Sequence, residues 1–158
     1  MSDDGAAFMR RAIELARQGM RAGDGGPFGA VVVRNGEIIG EGWNRVIATH
    51  DPTAHGEIGA IRDACSRIGD FSLAGCEIHT TGQPCPMCLG AIHWARISRI
   101  YYGFRIEDAA TAGFHDADFF EEFSKAPSER RIPSTTLLSE DAGRLLAEYV
   151  ELPGRISY

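Results

Sequence analysis

The chain predicts an α/β fold in three layers, with helices covering both faces of a mixed five-stranded sheet. Three features lead there. A β-hairpin signal lies near the start, strand and helix patterns alternate from Cys76 onward, and the 158 residues are 44% hydrophobic and 24% charged, the balance of one ordinary globular core. Alternating strands and helices imply parallel crossovers, whereas the hairpin adds an antiparallel edge. No repeat, low-complexity tract or linker interrupts the chain, so residues 1–158 are expected to form a single domain.

In chain order, Phe8, Met9, Ala12, Ile13, Leu15, Ala16 and Met20 recur near helical spacing and predict a helix over 2–21, ended by Gly23-Asp24-Gly25-Gly26-Pro27. Residues 29–34 are β-branched and apolar, Asn35-Gly36 is a turn pair that accepts positive φ twice, and 37–43 returns as the second strand. A loop carrying Asn44 runs to Thr53. Ile58, Ile61, Ala64, Cys65 and Ile68 then form the apolar stripe of a helix over 54–68. A strand at 76–81, a helix at 85–96 and a strand at 100–104 follow, with helical stretches at 108–112 and 118–125. The fifth strand is placed at 134–138 and a last helix at 140–151, before Pro153-Gly154 and a tail at about 152–158.

The two middle helices open with the chemistry. One starts at His55-Gly56-Glu57, the other at Pro84-Cys85-Pro86-Met87-Cys88. By itself, His55 reads as an ordinary polar residue at a helix start, and the Cys85/Cys88 pair reads as metal-binding or redox-active. Together they offer three zinc ligands and a carboxylate left over, and a catalytic zinc takes three protein ligands while keeping a position for water. H-x-E followed by P-C-x-x-C is the signature of zinc-dependent nucleobase deamination. One zinc per subunit is expected on His55, Cys85 and Cys88, with Glu57 free to move protons. Residues two apart lie on different faces of a helix, so His55 and Glu57 share a site only if it sits off the helix end. Two helix N-termini converging there would lower a thiol pKa. Pro84 and Pro86 stiffen the second of them, at positions where a missing N–H costs little.

Composition narrows the partners. The net charge of −6 argues against a long nucleic acid, which needs a concentrated basic surface. A small substrate fits better. The acidic opening Met1-Ser2-Asp3-Asp4 leads into no apolar stretch, so neither a signal peptide nor a membrane span is expected, and the compartment is read as the reducing cytoplasm. Cys65 and Cys76 are then small core residues. His50, His79, His93 and His115 have no metal-ligand spacing and are read as structural.

Beyond the zinc motif, the chain resembles the bacterial guanine deaminases, a family of the cytidine deaminase fold. The resemblance runs through Gly25-Gly26-Pro27-Phe28-Gly29-Ala30, Asp51-Pro52-Thr53-Ala54-His55, Pro84 to Ile92 and Ala112-Gly113-Phe114, to the terminal Tyr158. It implies hydrolysis of guanine to xanthine and ammonia, with water as co-substrate. It also implies that Asn44 and Asp116 recognise the base, Asp116 with a catalytic part, and that Phe28, Trp94 and the ligand His55 line the substrate. In the family, the C-terminal segment is exchanged within a homodimer and the final tyrosine closes the site. Two positions depart from the pattern: Gly56, where Ala is commoner, and Gln83, where Glu is common. The alternatives are deamination of cytosine, guanosine or a triazine such as ammeline, then of adenosine in tRNA, and lastly a zinc-binding module without turnover.

Overall fold

A computed structural model describes residues 3–158, and the start of the first helix expected at Ser2 lies outside them. The chain divides into two compact units, residues up to 120 and residues 121–158. In the first unit, α1 (Asp3–Ala22) is followed by the hairpin β1 (Gly29–Arg34) and β2 (Glu37–Trp43), then α2 (Val46–Thr49), α3 (Gly56–Ile68), β3 (Glu77–Gly82), α4 (Pro86–Trp94), β4 (Arg99–Phe104) and α5 (Ile106–Thr111). The hairpin turn is as expected, with Asn35 and Gly36 at φ 53° and 81°.

The sheet order is β2-β1-β3-β4. Strand β1 runs antiparallel to both β2 and β3, while β3 and β4 are parallel. Side chains alternate across it. Val31 and Val33 face α1, joining Ala12 and Leu15 in one apolar cluster; Ala30, Val32 and Ile78 join Ala60, Ala64 and Ile92 of α3 and α4 in the other. Three layers follow directly from a central strand apolar on both faces. Cys76 sits in the second cluster with Cys65 packed against it, and both are free thiols.

The sheet has four strands where five were expected. Residues 132–138 form no strand, and Ile132 and Leu137 are 82% and 81% exposed. Strand propensity measures fit to a pleated, half-buried surface, and Thr135-Thr136 has the propensity without the surface. Leu138 takes a left-handed conformation (φ 49°) immediately before α7 (Ser139–Glu151). The second unit thus consists of the end of α6 (Asp116–Ser124), a short 3-10 turn at Pro127–Glu129 and α7. Within it, Glu122 accepts from the Arg131 backbone N–H, and the Tyr149 hydroxyl donates to the Ile156 carbonyl at 3.0 Å. Among the described residues, no helix is long and apolar enough to cross a membrane.

What positions the site is the seat of α3 on β2. Gly40 and Gly42 leave no room for a side chain: a Cβ on Gly42 would stand 2.2 Å from the Gly56 carbonyl oxygen and 2.4 Å from the Ala60 nitrogen. Helix and strand therefore approach backbone to backbone. Around this seam, Arg11 donates to both carboxylate oxygens of Glu41, at 2.7 and 2.9 Å, and the Glu41 N–H donates to Asp63 of α3 at 2.9 Å, tying the three layers together. Gly42→Ala is expected to push α3 outward and lower stability by about 1–3 kcal/mol, read as a drop in the thermal unfolding midpoint.

Candidate metal centre and pocket

His55 and Cys85 occupy equivalent places. Each is the N-cap of its helix, with extended backbone (φ −76°, ψ 157° and φ −66°, ψ 168°), and neither side chain caps its own helix. This corrects the expectation that both lie in the first helical turn. Standing outside the helix, His55 is not held to the helical spacing of its side chains, which removes the difficulty of two residues at spacing two. Cys88, one turn on, faces the same point, and Pro86 opens α4 at its first position.

The donor atoms converge. His55 Nδ1 lies 3.7 Å from Cys85 Sγ and 3.5 Å from Cys88 Sγ, and the three donors lie within 4.8 Å of one another. Zinc at ordinary bond lengths in tetrahedral geometry separates such donors by about 3.5–3.8 Å, so the set fits that ion. Cys88 is fully buried and Cys85 nearly so. A hydrogen bond from Cys88 holds the Cys85 thiol down to about 4 against the opposing effect of burial, and the same bond pushes Cys88 far up. The bond to Cys85 raises His55. At the free N–H ends of two helices, one of the two thiols is thus held towards the thiolate that a cation takes as ligand. Among the described residues this is the one such metal-holding group of His, Cys and acidic side chains.

Glu57 stands beside it, 4% exposed, with its carboxyl raised chiefly by burial and next by Cys85. Asp116, half-buried at the start of α6, is raised by desolvation and then by Cys85, and lies within electrostatic reach of His55. Asn44 is buried; its N–H donates to the Phe28 carbonyl at 2.8 Å. That carbonyl lies where a Cβ on Gly56 would stand 3.1 Å away. Glycine between His55 and Glu57 therefore lets the Phe28 strand entry lie close, and Ala there requires a shift of a few tenths of an ångström. Gln83 ties its N–H to the Phe104 carbonyl at 2.9 Å.

Phe28 meets Phe114 edge-on at 4.7 Å and Phe104 at 5.7 Å. Phe114 was not among the expected site residues, although it ends the Ala112-Gly113-Phe114 motif. Trp94 is the last residue of α4, 68% exposed and about 9 Å of helix rise beyond Cys88. Tyr158 belongs to the second unit and is 72% exposed. Of the other histidines, His79 is buried and stacks on Tyr101 at 4.5 Å, while His50, His93 and His115 are exposed.

Comparison with known proteins agrees with this geometry. Residues 2–104 match the model of the cytidine and deoxycytidylate deaminase zinc-binding region. The chain is 51% identical to the guanine deaminase of Bacillus subtilis over 126 residues, 80% of this chain and 81% of that one. The crystal structure of a Bacillus subtilis guanine deaminase superposes with TM-score 0.91 at 43% identity, covering 100% of this chain and 99% of that chain. A tRNA-specific adenosine deaminase of Aquifex aeolicus is 33% identical over 142 residues, 90% of this chain and 91% of that one.

The geometry sets the three metal donors apart from the neighbouring Glu57 carboxyl. Cys88→Ser is expected to abolish stoichiometric zinc in elemental analysis, whereas Glu57→Ala keeps zinc and loses about 10²- to 10⁴-fold in turnover. Near-normal turnover in the Glu57 variant would remove that residue from proton transfer.

Proposed function

Because this chain belongs to the cytidine and deoxycytidylate deaminase family, with a donor set suited to its zinc, we propose that it hydrolyses guanine to xanthine and ammonia. The observation that carries the chemistry is a buried carboxyl, Glu57, left without a ligand role beside three metal donors. A structural zinc site has four protein ligands, and this cluster offers three. The substrate rests on the relative at 51% identity, which bears the name guanine deaminase.

A zinc ion held by His55, Cys85 and Cys88 supplies, when bound, an open position that lowers the pKa of water from about 15.7 towards 7. Glu57 does the proton work. Its burial raises the proton affinity of the carboxylate, so it takes a proton from the attacking water as oxygen bonds to C2 of guanine and passes it to the adjacent ring nitrogen. It then carries the proton of the new C2 hydroxyl to the 2-amino group, the C2–N bond breaks as the C2 carbonyl forms, and ammonia leaves. Guanine and water are consumed, and xanthine and ammonia are formed.

Recognition follows from guanine's edges. N1–H and the 2-amino group donate, which suits the Asp116 carboxylate; O6 and N7 accept, which suits the Asn44 amide. Asp116 serves as a relay for that same proton on its way to the departing amine. His55 and Phe28, the latter steadied by Phe104 and Phe114, flank the purine. Units up to 120 and 121–158 work as one functional domain in a cytoplasmic homodimer, in which the exchanged C-terminal tail of one copy brings Tyr158 to close the other's site. Support for exchange comes from α7, whose Leu145, Leu146, Val150 and the following Leu152 are all exposed.

The Aquifex aeolicus relative favours tRNA adenosine as a second reading, against which stands the net charge of −6. Ammonia release from zinc-loaded protein is expected to be preferential for guanine over cytosine, guanosine, ammeline, adenine and a tRNA anticodon stem-loop. Release from the RNA alone would replace the guanine reading. Asp116→Asn is expected to retain zinc and cut guanine turnover about 10²-fold or more; near-normal turnover would free Asp116 of its role.

A further inference from the structure

Phe28 owes its place to a hydroxyl on another strand. Thr81, 5% exposed near the end of β3, donates from its Oγ1 to the Pro27 carbonyl and accepts from the Gly29 N–H, both at 3.1 Å. The two residues flanking Phe28 thus close on a single oxygen, which gives its proton to one bond and a lone pair to the other. Main-chain pairing stops at this point, since Ala30 opposite Thr80 is the last pair between β1 and β3 at that end. Past it, the hydroxyl does what the ladder did.

Other groups fix the ring. The Phe28 N–H donates to the Gly26 carbonyl at 2.8 Å, and the Phe28 carbonyl accepts from the Asn44 N–H at 2.8 Å. Two glycines leave room for the aromatic contacts. A Cβ on Gly26 would stand 2.9 Å from the Phe114 ring and 3.0 Å from that of Phe28; one on Gly82 would stand 2.6 Å from Phe104 and 3.2 Å from Phe28. Thr81 itself is backed by β4, where a Cβ on Gly103 would stand 2.7 Å from the Thr81 carbonyl oxygen. Four residues on comes Cys85, so one strand sets both a metal donor and Phe28.

We propose that Thr81 is a positioning residue, whose hydroxyl ties Phe28 to the strand leading into the metal-holding turn and thereby sets affinity for the base. The proposal rests on the reading of the site as a guanine site with Phe28 against the purine. Thr81 touches no reacting atom and acts through Phe28. Two substitutions separate hydroxyl from shape. Serine keeps both hydrogen bonds, whereas valine keeps the shape and leaves the Gly29 N–H and the Pro27 carbonyl without that partner.

The test measures zinc content, and kcat and KM for guanine, on zinc-loaded wild type, Thr81→Ser, Thr81→Val, Phe28→Ala and the Thr81→Val/Phe28→Ala double variant. Thr81→Val is expected to keep zinc and raise KM about tenfold or more with kcat within about threefold, because a contact made equally to substrate and transition state is lost. Thr81→Ser should stay within about threefold of wild type in KM. With Phe28 already truncated, Thr81→Val has nothing left to position, so the double variant should match Phe28→Ala in KM within about twofold. Losses that multiply in the double variant, or a fall in kcat at unchanged KM in Thr81→Val, would mark a merely structural role and overturn the proposal. Thr81→Ser no better than Thr81→Val would overturn it too. Should Thr81→Val fail to fold, Thr81→Ala replaces it in the same cycle, and an unchanged KM in Phe28→Ala overturns the proposal with either. Wild type that releases no ammonia from guanine would instead refute the reading of the site, and the role of Thr81 with it.

Discussion

Everything at the site depends on two helices beginning at the same point. A helix start leaves its first N–H groups without partners, and the ends of α3 and α4 bring two such sets together with His55, Cys85 and Cys88. Neither end is capped by its own N-cap side chain. The stabilisation a cap would give is forgone, and the two side chains turn to each other instead. Their relative position is set far from the chemistry, by Gly40 and Gly42 on β2, which hold α3 at backbone contact. Packing thus fixes what bonding to the cation uses.

The same centre divides its labour by burial. The thiols and imidazole are within reach of one another and share charge, while Glu57 has its charge disfavoured by the protein around it. A carboxyl in that condition is a better base than one in water. In the proposed reading, recognition of the base falls to other elements: a loop (Asn44), a strand entry (Phe28) and the start of α6 with the residues before it (Asp116, Phe114). On that reading, reaction type and substrate choice are carried by separate parts of the chain.

Much of this was legible in the sequence. Strands β1 and β2, the turn between them, and the metal set with its spare carboxylate could be read from local pattern, because each depends on residues near in sequence or on spacing chemistry demands. The helix starts at His55 and Cys85 were misread by two residues and one, since helix boundaries are decided by hydrogen bonds rather than apolar period. The short α2 has no apolar stripe to announce it. Segment 134–138 had strand-forming residues and no neighbour to pair with. Phe114 was read only as the end of a motif, because its partner, Phe28, is far off in the chain.

Strand β1 has a consequence for how the molecule assembles. It pairs locally with β2 across a two-residue turn, but with β3 across more than forty intervening residues, Ala30 lying opposite Thr80. Chain entropy opposes the second pairing much more than the first. His55 lies inside that long excursion and Cys85 just past its far end, so the donors become neighbours only when the excursion has closed. A cation bound there ties together residues on either side of that long-range closure, so topology and metal binding favour the same closed arrangement.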